Sequence, residues 1–203
     1  MKSKIQETQT TDKKEAFKNY WENSISFDDY LKIAEERFHN NPDKNDEHQE
    51  YYELGLTRTN RTVKTYKVDA EQLQKLEAKN FNGKILIISE PWCGDASATV
   101  PAVSKFFEAA GVEVRIFLRD SDLSLIDQFQ TNGTQSIPKV IIFNDDFSVK
   151  ADWGPRPQFG NDLLKKFKEN EETYPREEFY NDLQVYYAKN RGKDAIEEII
   201  SLL

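Results

Sequence analysis

Hydrophobic and polar positions along the chain change period twice. From Lys13 to about Asn80 apolar residues recur at helical spacing: Phe17, Tyr20 and Trp21 share one face, and Phe27, Tyr30, Leu31, Ala34 and Phe38 form a second stripe that Ser26 is placed to cap. Asn40, Asn41 and Pro42 are expected to end that helix. Tyr51, Tyr52, Leu54, Leu56 and Val63 mark a further helix, weakened by Gly55, and Asp69 begins a short one with Leu73 and Leu76. Residues 1–12 are polar and without period, and are expected to stay loose.

At Lys84 the period disappears. Ile85, Leu86, Ile87 and Ile88 form a short continuous apolar run, the pattern of a strand covered on both faces. After it the pattern predicts a helix from about Asp95 to Ala110 with Pro101 inside it, a strand over 112–118, and a short helix at Leu123, Ile126 and Phe129. A strand at 140–143 follows, with a hairpin partner ending near Trp153. Leu163, Leu164 and Phe167 mark the next helix. Two more, over 175–189 and 193–203, flank the Arg191-Gly192 break and read as a helical hairpin packed on the main body.

Composition narrows the function. The chain has 203 residues, of which 37% are hydrophobic and 32% charged, and it carries a net charge of −8, which disfavours nucleic acid and anionic membranes as partners. No secretory leader or membrane-length apolar run is visible, so a cytoplasmic location is expected. One cysteine excludes an internal disulfide, and one cysteine with two distant histidines, His39 and His48, does not make a typical structural zinc site; no metal and no bound cofactor are expected. Any redox work must be monothiol or intermolecular.

The chemistry therefore concentrates on Ser89-Glu90-Pro91-Trp92-Cys93-Gly94-Asp95-Ala96, where strand hands over to helix. A helix N-terminus offers backbone N–H donors and positive dipole to an anion, so Cys93 is expected to have a lowered pKa. Asp95 either lies near the sulfur and disfavours the thiolate or caps the helix. Arg156 either offsets Asp95, pairs with a substrate carboxylate, or stands solvated at the surface. Trp92 and Trp153 are core aromatics or walls for a partner chain.

From Lys84 to about Asn170 the order β-α-β-α-β-β-α resembles the thioredoxin family, and four features carry the resemblance. Pro91-Trp92-Cys93-Gly94 is similar to the family's active-site turn, and Pro101 falls eight residues after the cysteine, where that helix kinks. Ile137-Pro138, with the proline 45 residues after Cys93, matches the family's cis X-Pro, which leaves backbone groups free for an extended substrate; an ordinary turn proline is the other reading. Gly154 ends the hairpin where the family has a small residue in the substrate groove.

The Trp-Cys-Gly-Asp-Ala run, with Trp153-Gly154-Pro155-Arg156-Pro157, resembles a bacterial subgroup lacking the second cysteine. The resemblance implies a thioredoxin fold, an α/β architecture with a mixed sheet of about four strands. It would occupy residues 81–171, between an N-terminal helical extension (1–80) and a C-terminal helical hairpin (172–203). It implies Cys93 as the reacting residue and Trp92, Gly94, Asp95, Ile137, Pro138, Gly154 and Arg156 as the substrate groove. The departures matter as much: Ala96 replaces the second cysteine, and Ile87 stands six residues before Cys93, where thioredoxins carry a buried acid. A dithiol reductase is therefore not expected. Two functions remain: a monothiol protein exchanging disulfides with glutathione as co-substrate or with a client protein, and a binding module in which the thiol is incidental.

Overall fold

The apolar run after Lys84 becomes the centre of the sheet. In the computed structural model, which describes residues 2–41 and 45–203 and their side chains from residue 11 onward, four helices precede that strand. They are α1 (Lys2–Glu22), α2 (Phe27–Asn40), α3 (Gln49–Thr65) and α4 (Ala70–Ala78). Then follow β1 (Lys84–Ser89), α5 (Ala96–Ala109), β2 (Glu113–Leu118), α6 (Leu123–Ile126), β3 (Lys139–Phe143), β4 (Val149–Trp153), α7 (Gln158–Glu169), α8 (Arg176–Asn190) and α9 (Lys193–Ser201).

The sheet runs β2-β1-β3-β4, with β1 parallel to β2 and antiparallel to β3, and β3 antiparallel to β4. Ile85 to Ile88 are all buried, consecutive residues included, so helices cover both faces of β1 as a continuous apolar run requires. Val100, Val103, Phe106 and Phe107 on α5 supply one side of that core. Phe17 of α1 meets Phe143 of β3 with ring centroids 5.4 Å apart, and Tyr20 meets Phe117 of β2 edge-on. The outer edge of β2 is covered by Ile25, which exchanges two backbone hydrogen bonds of 2.8 Å with Ile116. This is a thioredoxin fold with helical additions.

Local signals explain some of the helix starts. Ser26 Oγ accepts the Asp29 N–H at the start of α2, and Asp69 accepts from Glu71 and Gln72 at the start of α4. Helix α2 ends at Asn40; Pro42 lies outside the described residues. Residues 2–12 depart from the expectation of a loose stretch, because α1 begins at Lys2. Lys, Gln and Glu are good helix formers, and no Gly or Pro interrupts the path into the anchored turn at Phe17 and Trp21.

Gly55 marks a close approach rather than a helix end. It lies inside α3, and a Cβ there would sit 2.6 Å from the Pro91 carbonyl oxygen, so α3 reaches the Cys93 turn only because residue 55 has no side chain. At the other end, α9 packs on α4 and α5, with Gln72 donating to the Lys193 carbonyl at 2.8 Å.

Candidate active-site groove

Cys93 lies in the turn between β1 and α5. Its N–H closes the turn onto the Glu90 carbonyl at 3.1 Å, and its Sγ donates to the Ile137 carbonyl at 3.3 Å. The Ile137–Pro138 peptide is cis, as is Gly154–Pro155. Gly154 has φ +125°, and a Cβ on it would lie 2.3 Å from the Pro138 carbonyl oxygen, so only glycine allows the β4 exit to cross behind Pro138.

Above the sulfur is an open groove of about 650 Å³. Of the residues expected there, Trp92, Cys93, Gly94, Asp95, Ile137 and Arg156 line it; Pro138 and Gly154 do not, and pack against each other instead. Trp92 stacks on His48 (4.0 Å between centroids) and donates from Nε1 to Asp120 at 3.2 Å, making one wall. Trp153 is core: it is buried and donates to Glu198 on α9 at 2.7 Å.

Asp95 occupies the N-cap position of α5 without capping it. Its carboxylate instead pairs with Arg156 (2.6 Å) and accepts the Tyr187 hydroxyl (2.7 Å), all three side chains being at least largely buried. Arg156 is therefore the partner of Asp95, and its Nε has no hydrogen-bond acceptor among the described residues. Burial pushes the Asp95 carboxyl above its usual range, against the pull of the Arg156 guanidinium and the Tyr187 hydroxyl.

The sulfur corrects the expectation of a lowered pKa. Cys93 is 8% exposed, and burial first, then the Asp95 charge, push its thiol up to about 12. Hydrogen bonds from the Ala96 and Asp95 N–H groups and the Arg156 charge pull the other way and lose. The helix N-terminus does deliver its donors, but desolvation outweighs them. At neutral pH the group is a thiol.

Several residues of this region carry no signal in the sequence. Glu90, fully buried beside the turn, accepts from Arg37 (2.8 Å) and from the Asp120 N–H (2.8 Å), and burial raises its pKa. Arg37 continues to the Tyr52 hydroxyl, and that hydroxyl donates to Asp46 at 2.7 Å, tying α2 and α3 to the end of β1. A buried acid is thus present three residues before Cys93, not at position 87. Its charge faces Arg37 rather than the groove. Tyr187 and Arg58 belong to α8 and α3, and their approach to the turn depends on tertiary packing alone.

Fold and site together define the class: a thioredoxin-fold protein whose strand-to-helix turn carries a single cysteine. A family model described as thioredoxin matches residues 41–169, and the chain belongs to that family. Among solved structures, the fold is similar to an HIV epitope scaffold (13% identity, 91% of this chain and 94% of that one, TM-score 0.61). It is similar as well to a protein of unknown function from Pseudomonas aeruginosa (14% identity, 90% and 93%, TM-score 0.59). No curated protein is significantly similar in sequence. Among the described residues no helix is long and apolar enough to cross a membrane, and no cluster of His, Cys, Asp or Glu could hold a metal.

Proposed function

We propose that the protein is a monothiol redox protein of the thioredoxin type, akin to bacterial members with the Trp92-Cys93-Gly94-Asp95-Ala96 run, acting in the cytoplasm on glutathione or a client protein. The observation that carries this reading is the placement of the Cys93 sulfur at the floor of an open groove, hydrogen-bonded to Ile137 beside the cis peptide. In the step, Cys93 gives its proton to solvent and its sulfur bonds one sulfur of the incoming disulfide. The disulfide breaks, and its other sulfur leaves with the electron pair and takes up a proton. A buried alanine at position 96 offers no second thiol, so the mixed disulfide persists until an outside thiol attacks it.

The thiol pushed up to about 12 makes the exchange slow at neutral pH and faster as pH rises. The test is the intact mass of folded protein after incubation with oxidised glutathione, with Cys93→Ser as control. One glutathione adduct on the natural protein, gained faster at about pH 9 than at pH 7, is expected. An adduct that forms in denaturant but never on the folded chain would refute the reading.

A second reading, a binding module with an incidental thiol, is favoured by the same burial: a protonated thiol on a residue only 8% exposed needs no chemistry to explain it. Under it, Cys93→Ser leaves partner capture unchanged.

A further inference from the structure

The charge lining the groove is opposite to that of the chain. Net charge is −8, yet the groove is lined by Arg58, Arg119, Arg156 and Arg176, and Asp95 is the single carboxylate lining it among the described residues. Two of the arginines are already committed: Arg156 to Asp95, and Arg119 to Asp120 and the face of Trp92. Arg58 and Arg176 have no ion-pair or hydrogen-bond acceptor for their guanidinium groups among the described residues. Arg58 is half-buried, and burial followed by the like charge of Arg61 lowers its pKa. Its Nη1 stands 3.8 Å from the position a Cβ would take on Gly94, directly over the Cys93 turn.

The same groove has an apolar rim. Tyr51, Leu54 and Tyr180, from α3 and α8, are each about half exposed at its edge (49%, 48% and 50%). Large apolar side chains beside unpaired guanidinium groups are the composition of a recognition surface, where Tyr and Arg carry most of the binding energy. A groove of about 650 Å³ that is open to solvent suits a short extended segment.

We propose that this groove binds an acidic polypeptide segment, with a carboxylate on Arg58, a second on Arg176, and an apolar side chain between them against Tyr51, Leu54 and Tyr180. This names the partner for the site of the thiol reading and rests on that reading for its location, but not on the reactivity of Cys93. Charge in a cleft of this sign also raises the encounter rate of an acidic partner and repels a basic one.

The experiment uses the full chain carrying Cys93→Ser, so that no covalent capture contributes. Fluorescence anisotropy follows a labelled short peptide alternating glutamate and phenylalanine, with glutamine-for-glutamate and lysine-for-glutamate versions beside it. The acidic peptide is expected to bind, to weaken as salt is raised from about 20 mM to about 0.5 M, and to lose about tenfold in affinity (about 1.4 kcal/mol) in Arg58→Gln. The lysine version is expected not to bind. Arg58→Lys, which keeps the charge, is expected to recover part of the loss.

Equal binding of the glutamine version, indifference to salt, or unchanged affinity in both Arg58→Gln and Arg176→Gln overturns the proposal. So does inorganic phosphate or free succinate displacing the peptide at concentrations comparable to the peptide's own, which assigns the site to a small anion. A glutathione adduct on the natural protein together with no binding of the acidic peptide overturns it too, while leaving the thiol reading standing. Conversely, peptide binding together with a failed glutathione test leaves this proposal standing and removes the thiol reading.

Discussion

Replacing Asp95 by asparagine separates the two influences that hold the Cys93 sulfur protonated. The substitution keeps the shape and lets the amide oxygen still accept the Tyr187 hydroxyl, but it removes a negative charge beside the thiol and leaves the Arg156 guanidinium uncompensated. Both changes favour the thiolate. With the thiol at about 12, the fraction ionised at pH 8 is about one in ten thousand, against about a quarter for an ordinary cysteine. A neighbouring charge moves a pKa by about 1 to 3, so alkylation of Cys93 at pH 8 should accelerate about ten- to a thousandfold.

It should not reach the rate of the unfolded chain, because burial, the larger cause, remains. The same change should cost about 2 to 4 kcal/mol of stability, since Arg156, 18% exposed at its side chain, loses its carboxylate. The assay is the iodoacetamide rate by intact mass, on protein whose fold is checked by circular dichroism and urea midpoint. Tyr187→Phe, which removes a hydrogen bond and no charge, should move the rate less. An unchanged or slower rate in folded Asp95→Asn would refute the electrostatic account of the sulfur.

Three further outcomes follow from single contacts. Ala96→Cys puts a second thiol at the residue whose N–H bonds the Cys93 sulfur, and should create insulin reduction by the turbidity assay where the natural protein shows little; equal activity in both would contradict the role given to the missing cysteine. Gly55→Ala places a methyl group 2.6 Å from the Pro91 oxygen and should lower stability by about 1 to 3 kcal/mol in urea; a gain, as at an exposed helix glycine, would deny the close approach of α3. At Asp46, burial opposes the charge, but hydrogen bonds from Tyr52, His48 and Asn41 prevail and hold the carboxyl at about 2, below its unfolded value of 3.8. Its contribution to stability is therefore complete above about pH 4 and is lost as pH falls toward 2, and Asp46→Asn should flatten that part of the acid unfolding curve.

What could be read along the chain was what adjacent residues decide. Ser26 and Asp69 cap helices because a cap needs only the next turn, and Ile85 to Ile88 form a central strand because a short run apolar on both faces has few other uses. The Asp95–Arg156–Tyr187 cluster joins residues 61 and 92 positions apart, and no local pattern marks Tyr187 as distinct from Tyr186 beside it. Gly55 misleads for a related reason: helix propensity penalises it locally, while its use is a carbonyl oxygen 36 residues away.

The sulfur shows the limit most clearly, because the two levels give opposite signs. Local reasoning supplies the N–H groups of Asp95 and Ala96 and so a lowered pKa, and both groups are in place. Packing supplies burial beside a carboxylate, and only the assembled chain reveals it. A neutral thiol keeps its bond to the Ile137 carbonyl without the desolvation cost that a thiolate would meet there, so the turn is most stable with Cys93 protonated. A cation that screens Asp95 acts on that balance directly, because the Asp95 charge is the second cause, after burial, that holds the thiol protonated.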